Sequence, residues 1–222
     1  MERAIQILIY THAGFGGIAI LAGLVSIIAK KGLTIHKKSG LVFYFTMLSS
    51  AVTALIVSLL PNHESPFLFA VGVFTLYFIL TGKRALRFKH KGLSLRTDQW
   101  ISRIMIVTGL LMIFLPVFLS KSINLVLSVF AVVGIIFSVR DLILFKNPAR
   151  LRKAWLKLHL GKMLGAYISA ITAFVVVNEF FPSFYGWFIP GLVGGFFIFY
   201  HIRRLNRKEM VPIKNSNEPK FK

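Results

Sequence analysis

Seven apolar runs fill this chain, at residues 5–29, 40–60, 66–82, 101–120, 122–144, 160–180 and 184–201. Each is close to the ~20 residues that a helix needs to cross ~30 Å of hydrocarbon. A core helix of a soluble protein can be as apolar, but not seven times within 222 residues joined by such short connections. The expected fold is therefore all-α, an integral membrane bundle of seven transmembrane helices over residues 1–204. Residues 205–222, with Pro212, Asn215, Ser216, Asn217 and Pro219, read as a basic disordered cytoplasmic tail.

The basic residues orient this threading. Of 27 Lys and Arg, 25 fall in alternate connections and at the C-terminus. Lys30, Lys31, Lys37 and Lys38 follow the first run, and a cluster from Lys83 to Arg103 follows the third. A further cluster from Arg140 to Lys162 lies between the fifth and sixth runs, and Arg203 opens the last. The other side holds only Arg3 and Lys121. Short cytoplasmic loops retain Lys and Arg, so the N-terminus is expected outside and the C-terminus in the cytoplasm, in a bacterial inner membrane. The first run is too long for a signal-peptide h-region of about 7–15 residues, and its positive cluster follows rather than precedes it. It reads as an uncleaved first helix.

A net charge of +20 would suggest nucleic acid in a soluble protein. Here the charge is divided among short loops at helix ends, where the lipid bilayer and its anionic headgroups are the natural partner, and no nucleic acid is needed to explain it. The chain has no cysteine, which excludes disulfides and thiolate metal sites. Pro116 and Pro190 fall inside the fourth and seventh runs and predict kinks.

A faint repeat links the second run (Ser50-Ala51-Val52-Thr53-Ala54) to the sixth (Ser169-Ala170-Ile171-Thr172-Ala173). Another links the third (Val71-Gly72) to the seventh (Val193-Gly194). The spacing suggests a parallel three-plus-one-plus-three layout, a geometry used by small transporters. Small residues mark packing stripes at Gly16, Ala19 and Gly23, and at Ala166, Ala170 and Ala173.

Histidines are the candidates for chemistry. His12 reads as the one ionisable side chain clearly within an apolar run, on the Gly16/Ala19/Gly23 stripe, and intramembrane ionisable groups usually face the bundle interior. The bland alternative is a neutral imidazole bonded to a neighbouring helix. His36 and His159 each open a run from the basic side, at the matching depth that a two-histidine haem b site would require. The bland alternative is headgroup contact, since Lys37, Lys38, Lys157 and Lys162 flank them. His12, His36 and His159 are thus the binding candidates, with no catalytic residue and no metal site expected. No His-x-x-x-His, Gly-x-Ser-x-Gly or phosphate-cradling glycine loop is present, no two carboxylates share a level as an aspartyl dyad needs, and the seventh run has no Lys for a retinal Schiff base.

Together these motifs resemble an uncharacterised bacterial family of multipass membrane proteins, a domain of unknown function. Its pattern of a His followed by small residues in the first helix is similar to His12-Ala13-Gly14 through Ala22-Gly23. Its His-basic-Gly start to the second helix is similar to His36-Lys37-Lys38-Ser39-Gly40, and a late His before Met and an aromatic is similar to His159, Met163 and Tyr167. The resemblance implies no reaction and groups the same three histidines. The expectation is a non-enzymatic protein, without a cofactor, that handles a small solute, proton or lipid within the bundle. The alternatives are a b-type haem-binding redox protein using His36 and His159, and a structural or assembly subunit.

Overall fold

The computed structural model describes residues 2–182 and 185–210 and is all-helical over them. Its helices are α1 (Glu2–Ile28), α2 (Thr34–Val57), α3 (Pro66–Arg84), α4 (Arg96–Ser120), α5 (Leu125–Phe145), α6 (Pro148–Val177) and α7 (Tyr185–Met210), with one 3-10 turn at Ala85–Arg87. All seven are long and apolar enough to cross a membrane.

The boundaries differ from the apolar runs in one direction. At the basic face α2 begins at Thr34, α4 at Arg96 and α6 at Pro148, each ahead of its run, and α7 continues to Met210. A charged, amphipathic stretch retains good helix formers, so a helix that is already nucleated continues through it. Asn147 accepts a hydrogen bond from the Arg150 amide, 3.0 Å, and Pro148 supplies the first-turn residue, so α6 has a built start eleven residues ahead of His159. His159 therefore does not open its helix; it sits about 16 Å along it at 1.5 Å per residue. The proposed tail boundary at 204 falls within α7, and residues 211–222 lie outside the described residues.

Three helical hairpins, α1–α2, α4–α5 and α6–α7, surround α3, which packs on α2, α4, α5 and α6. Half of the α3 span is buried, against 11% of α1 and 6% of α7, so α3 is the axis and the first and last helices are peripheral. The main core forms where Phe43 and Met47 of α2, Phe74, Tyr77, Phe78 and Ile79 of α3 and Met105 of α4 meet. A second cluster at the basic face packs Ala85, Phe88, Phe145 and Leu151 beneath the connections. Large apolar side chains cover the outside, among them Leu21, Phe118 and Phe196. In water that surface would drive association; against acyl chains it costs nothing.

The small-residue stripes lie at helix contacts. A methyl group on Gly16 would stand 3.2 Å from Ser50 Oγ, and one on Gly23 would press on Tyr167 and Phe43, so neither position has room for a larger side chain without movement. Ala19 and Ala166 are fully buried.

Candidate binding site

The three singled-out histidines share one geometry. His12 Nδ1 lies 2.9 Å from the Ser50 carbonyl, His36 Nδ1 2.9 Å from the Ser26 carbonyl, and His159 Nδ1 2.8 Å from the Gly82 carbonyl. A carbonyl only accepts, so Nδ1 carries the proton and donates in each case, leaving the lone pair on Nε2. His36 and His159 both lie toward the basic end of the bundle. His12 is at the other end of the α1–α2 hairpin.

The hairpin contains a relation that the run-by-run reading missed. His12, Gly16 and Ser26 on α1 are matched in spacing by His36, Gly40 and Ser50 on α2. Each histidine reaches the opposite serine. Ser50 Oγ donates to the His12 carbonyl at 3.1 Å, and Ser26 Oγ to the His36 carbonyl at 3.4 Å. Each hydroxyl also lies 3.1 Å from the facing Nδ1, and each glycine admits the facing hydroxyl. The two clasps are the same set of bonds repeated about a local twofold axis. By contrast, Ser50 and Ser169, which the like-direction repeat would match, bond differently: Ser169 Oγ donates to Gly165 within its own helix.

An ion pair with both side chains buried lies elsewhere. Lys162 of α6 is paired with Asp141 of α5, and both side chains are only 6% exposed. Tyr77 of α3 donates to Asp141 Oδ2 at 2.6 Å, the Lys162 ammonium donates to the Tyr77 oxygen at 3.2 Å, and that ammonium stands 4.7 Å from the Tyr77 ring centre. The reading of His12 as the one ionisable group inside an apolar run is corrected by this pair. So is the placement of Lys162 at the headgroups. Measured along their helices, Asp141 and Lys162 lie about 22–24 Å from the far ends of α5 and α6, within a ~30 Å hydrocarbon layer. The two helices run in opposite directions and these residues stand at nearly equal distances from the far ends, so acid and base reach the same level.

Ser102 of α4 and Ser138 of α5, both fully buried, bring two further hydroxyls beside the Tyr77 oxygen. Neither has a partner at full hydrogen-bonding geometry among the described residues. A second ion pair closes the basic end: Arg84 grips Asp98 through Nε at 2.6 Å and Nη2 at 2.8 Å. Asp98 is 1% exposed, so this fork is a buried anchor between α3 and α4.

Lys162 and Asp141 line a cleft of about 760 Å³, a volume in the range of small-ligand sites. Its back is formed by α3 and α6, and its sides by α5 and α7, which have no substantial contact with each other. Phe74, Phe78, Phe130, Phe137, Trp187 and Phe188 supply an aromatic lining. From Trp187 to Ile202 the α7 wall runs about 22 Å. Charge is confined to one end, where Arg140, Asp141, Lys157 and Lys162 line the cleft, while Ser169 and Thr172 lie further along α6. A methyl group added at Gly191 or Gly195 would meet nothing within 4 Å, so these two positions keep the α7 wall low. None of His12, His36 and His159 lines the cleft.

A sequence signal for this site existed. Asp141 is the sole acid in the run at 122–144, and Lys162 lies two residues inside the next run. Opposite charges on successive apolar runs are candidates to pair across the bundle. Comparison of the chain with protein-family models, curated proteins and solved structures finds no match.

Proposed function

We propose that this chain is a non-enzymatic multipass membrane protein that binds an amphiphile, a molecule with an apolar tail and a polar head, in the cleft between α5 and α7. The observation that carries the reading is the cleft itself. It is apolar and aromatic along its length, polar at one end, and bordered by two helices that stand apart on the lipid side. Of the solute, proton and lipid readings of the bundle, this shape favours lipid. The placement in a bacterial inner membrane, N-terminus outside, is part of the proposal; it is supported by the 25-to-2 division of Lys and Arg, and so is membership of the bacterial multipass family that the histidine motifs resemble. An active alkaline phosphatase fused at the C-terminus would overturn that orientation. The three-plus-one-plus-three relation rests on the sequence pairs alone.

Gly195→Leu and Gly191→Leu test the binding reading, because each fills the cleft from a position with open space. Lipid extraction and mass spectrometry of detergent-washed protein should recover a retained amphiphile from the wild type and much less from either variant. Equal recovery from all three refutes the cleft as the site.

One observation favours a second reading. His36 and His159, both toward the basic end, each hold Nδ1 on a backbone carbonyl and present Nε2 as the free ring nitrogen, as an axial ligand of a haem b would. The visible spectrum of purified protein decides: a Soret band lost in His36→Ala and His159→Ala establishes it, and a colourless protein that binds no added haem removes it. Failure of both readings leaves a structural or assembly subunit.

A further inference from the structure

The Lys162–Asp141 pair is neutral as a unit, and its position in the cleft wall sets what can enter. An incoming acid head finds the Lys162 ammonium buried in the cleft wall beside Asp141, with Arg140 exposed at the rim of that end. A cationic head would have only the Asp141 carboxylate to pair with and would leave Lys162 unmatched at low dielectric, which is strongly unfavourable, and a neutral head brings no charge to exchange. An acid head has another course. It can take the ammonium of Lys162 for itself, and the group then left without a counter-ion is Asp141.

Two carboxylate-like charges cannot share one ammonium in such a place; one of them is driven to the neutral form. Asp141 is the one prepared for it. Its Oδ2 already accepts from Tyr77 at 2.6 Å, a bond that a neutral carboxyl retains. Protonated, it gains an O–H that needs an acceptor. Ser138 lies one helical turn before it on the same face of α5, and Ser138 and Ser102 are buried hydroxyls with unfilled bonding capacity beside Tyr77. As the site stands neither has a partner at full geometry among the described residues, and Ser138 is the hydroxyl nearest in sequence to receive the new O–H.

Of the remaining charged and titratable neighbours only His159 keeps a free proton-accepting atom, its Nε2, and it does not line the cleft. On α3 these are Tyr77 and Arg84, and Arg84 is held by Asp98 of α4. Asp98, near enough to act on Lys162, keeps that guanidinium as its own partner. On α5 and α6 the neighbours are Arg140, Lys157 and His159, the last bonded to the Gly82 carbonyl. The α7 wall of the cleft carries no titratable side chain.

We propose that the ligand class is an anionic amphiphile, whose acid head replaces Asp141 as the counter-ion of Lys162, and that Asp141 takes up one proton from water for each molecule bound. This rests on the cleft-binding reading. Over the buried pair the charge balance closes: Lys162 and Asp141 are neutral together, the head adds one negative charge, and the proton restores neutrality, while Arg140 is exposed and screened. No bond other than Asp141 O–H forms. Occupancy of the cleft is thereby coupled to proton uptake, and an acid head is released when the proton leaves.

The test uses the full chain in an uncharged detergent, with Trp100→Phe and Trp155→Phe so that Trp187 alone reports on the cleft. Hexadecylsulfonate, which does not itself titrate near neutral pH, and hexadecanol are added in small molar excess in a weakly buffered medium containing a pH indicator. The expected result is a Trp187 response to the sulfonate, lost in Gly195→Leu, with uptake of one proton per molecule bound. Hexadecanol should cause no uptake. Asp141→Asn, which keeps an acceptor for Tyr77, should bind the sulfonate without uptake.

Sulfonate binding without proton uptake in the wild type overturns this inference while leaving the cleft reading intact, and it needs no variant to fold. Uptake that persists in Asp141→Asn overturns the assignment to Asp141. No Trp187 response to either probe overturns the cleft reading itself. Carboxylate and phosphate heads share the required chemistry. Displacement of the sulfonate by hexadecanoate assigns the head to a free fatty acid, displacement by phosphatidic acid assigns it to a phospholipid, and displacement by neither overturns the acid head.

Discussion

In the α1–α2 hairpin, two histidines and two serines bond to each other and to the facing backbone, and small residues close the space around them. Between α5 and α6, an ion pair stands at the edge of an open cleft with two hydroxyls that bond to nothing at full geometry among the described residues. Both are polar islands at membrane depth. The first is closed, since each group has its partner within the pair of helices, and it fastens one helix to another. The second is incomplete on one side. Burial alone does not separate fastening from binding; unused bonding capacity beside a void does.

The largest way to break this contrast is to remove one charge. Asp141→Leu leaves the Lys162 ammonium buried without a counter-ion and should cost about 3–5 kcal/mol. Fraction unfolded against added denaturing detergent should show it, with little folded protein left. Asp141→Leu combined with Lys162→Met should recover most of the loss, because two apolar groups of similar size need no partners. A single variant as stable as wild type would mean that water already reaches the pair.

A smaller effect separates two adjacent glycines on α7. The Gly194 position faces Ile168 of α6 at less than contact distance for any added carbon, whereas the Gly195 position is open. Gly194→Leu should lose about 1–3 kcal/mol through overpacking, and Gly195→Leu should unfold as the wild type does while losing the retained amphiphile. Equal stability of the two variants would place the cleft wall wrongly.

The clasp predicts the smallest changes. His12→Leu should still insert, since Leu suits a membrane helix, yet lose about 1 kcal/mol by the same unfolding measurement. His63→Leu, in the exposed connection before α3, should change stability by less than about 0.5 kcal/mol. A His12→Leu protein indistinguishable from His63→Leu would reduce the clasp to an incidental contact.

The seven helices were legible because run length is a one-dimensional property: an apolar stretch of the right size needs no knowledge of its neighbours. The basic stretch from Arg150 to Lys157 was not legible as helix, because its charges resemble a loop while its propensity and its Asn147-Pro148 start favour continuation. That one misplacement put His159 and Lys162 at the surface. Depth is a three-dimensional quantity, and for Asp141 and Lys162 it follows from how far α6, which starts at Pro148 and not at the apolar run, extends before Lys162. The Ser50/Ser169 likeness led to a comparison of helices running the same way. The matched spacing of His12 to Ser26 and His36 to Ser50 joins helices running opposite ways, and it becomes visible only when the two are laid side by side.

The bonds by which α1 and α2 hold each other remain the same when the pair is turned end over end: histidine to serine carbonyl at one end, and the same at the other. Such a pair carries no compass in its interior. The direction in which it enters a bilayer falls to what breaks the symmetry, the four lysines at positions 30, 31, 37 and 38 around its turn. Neutralising them would leave a hairpin that is equally well made facing either way.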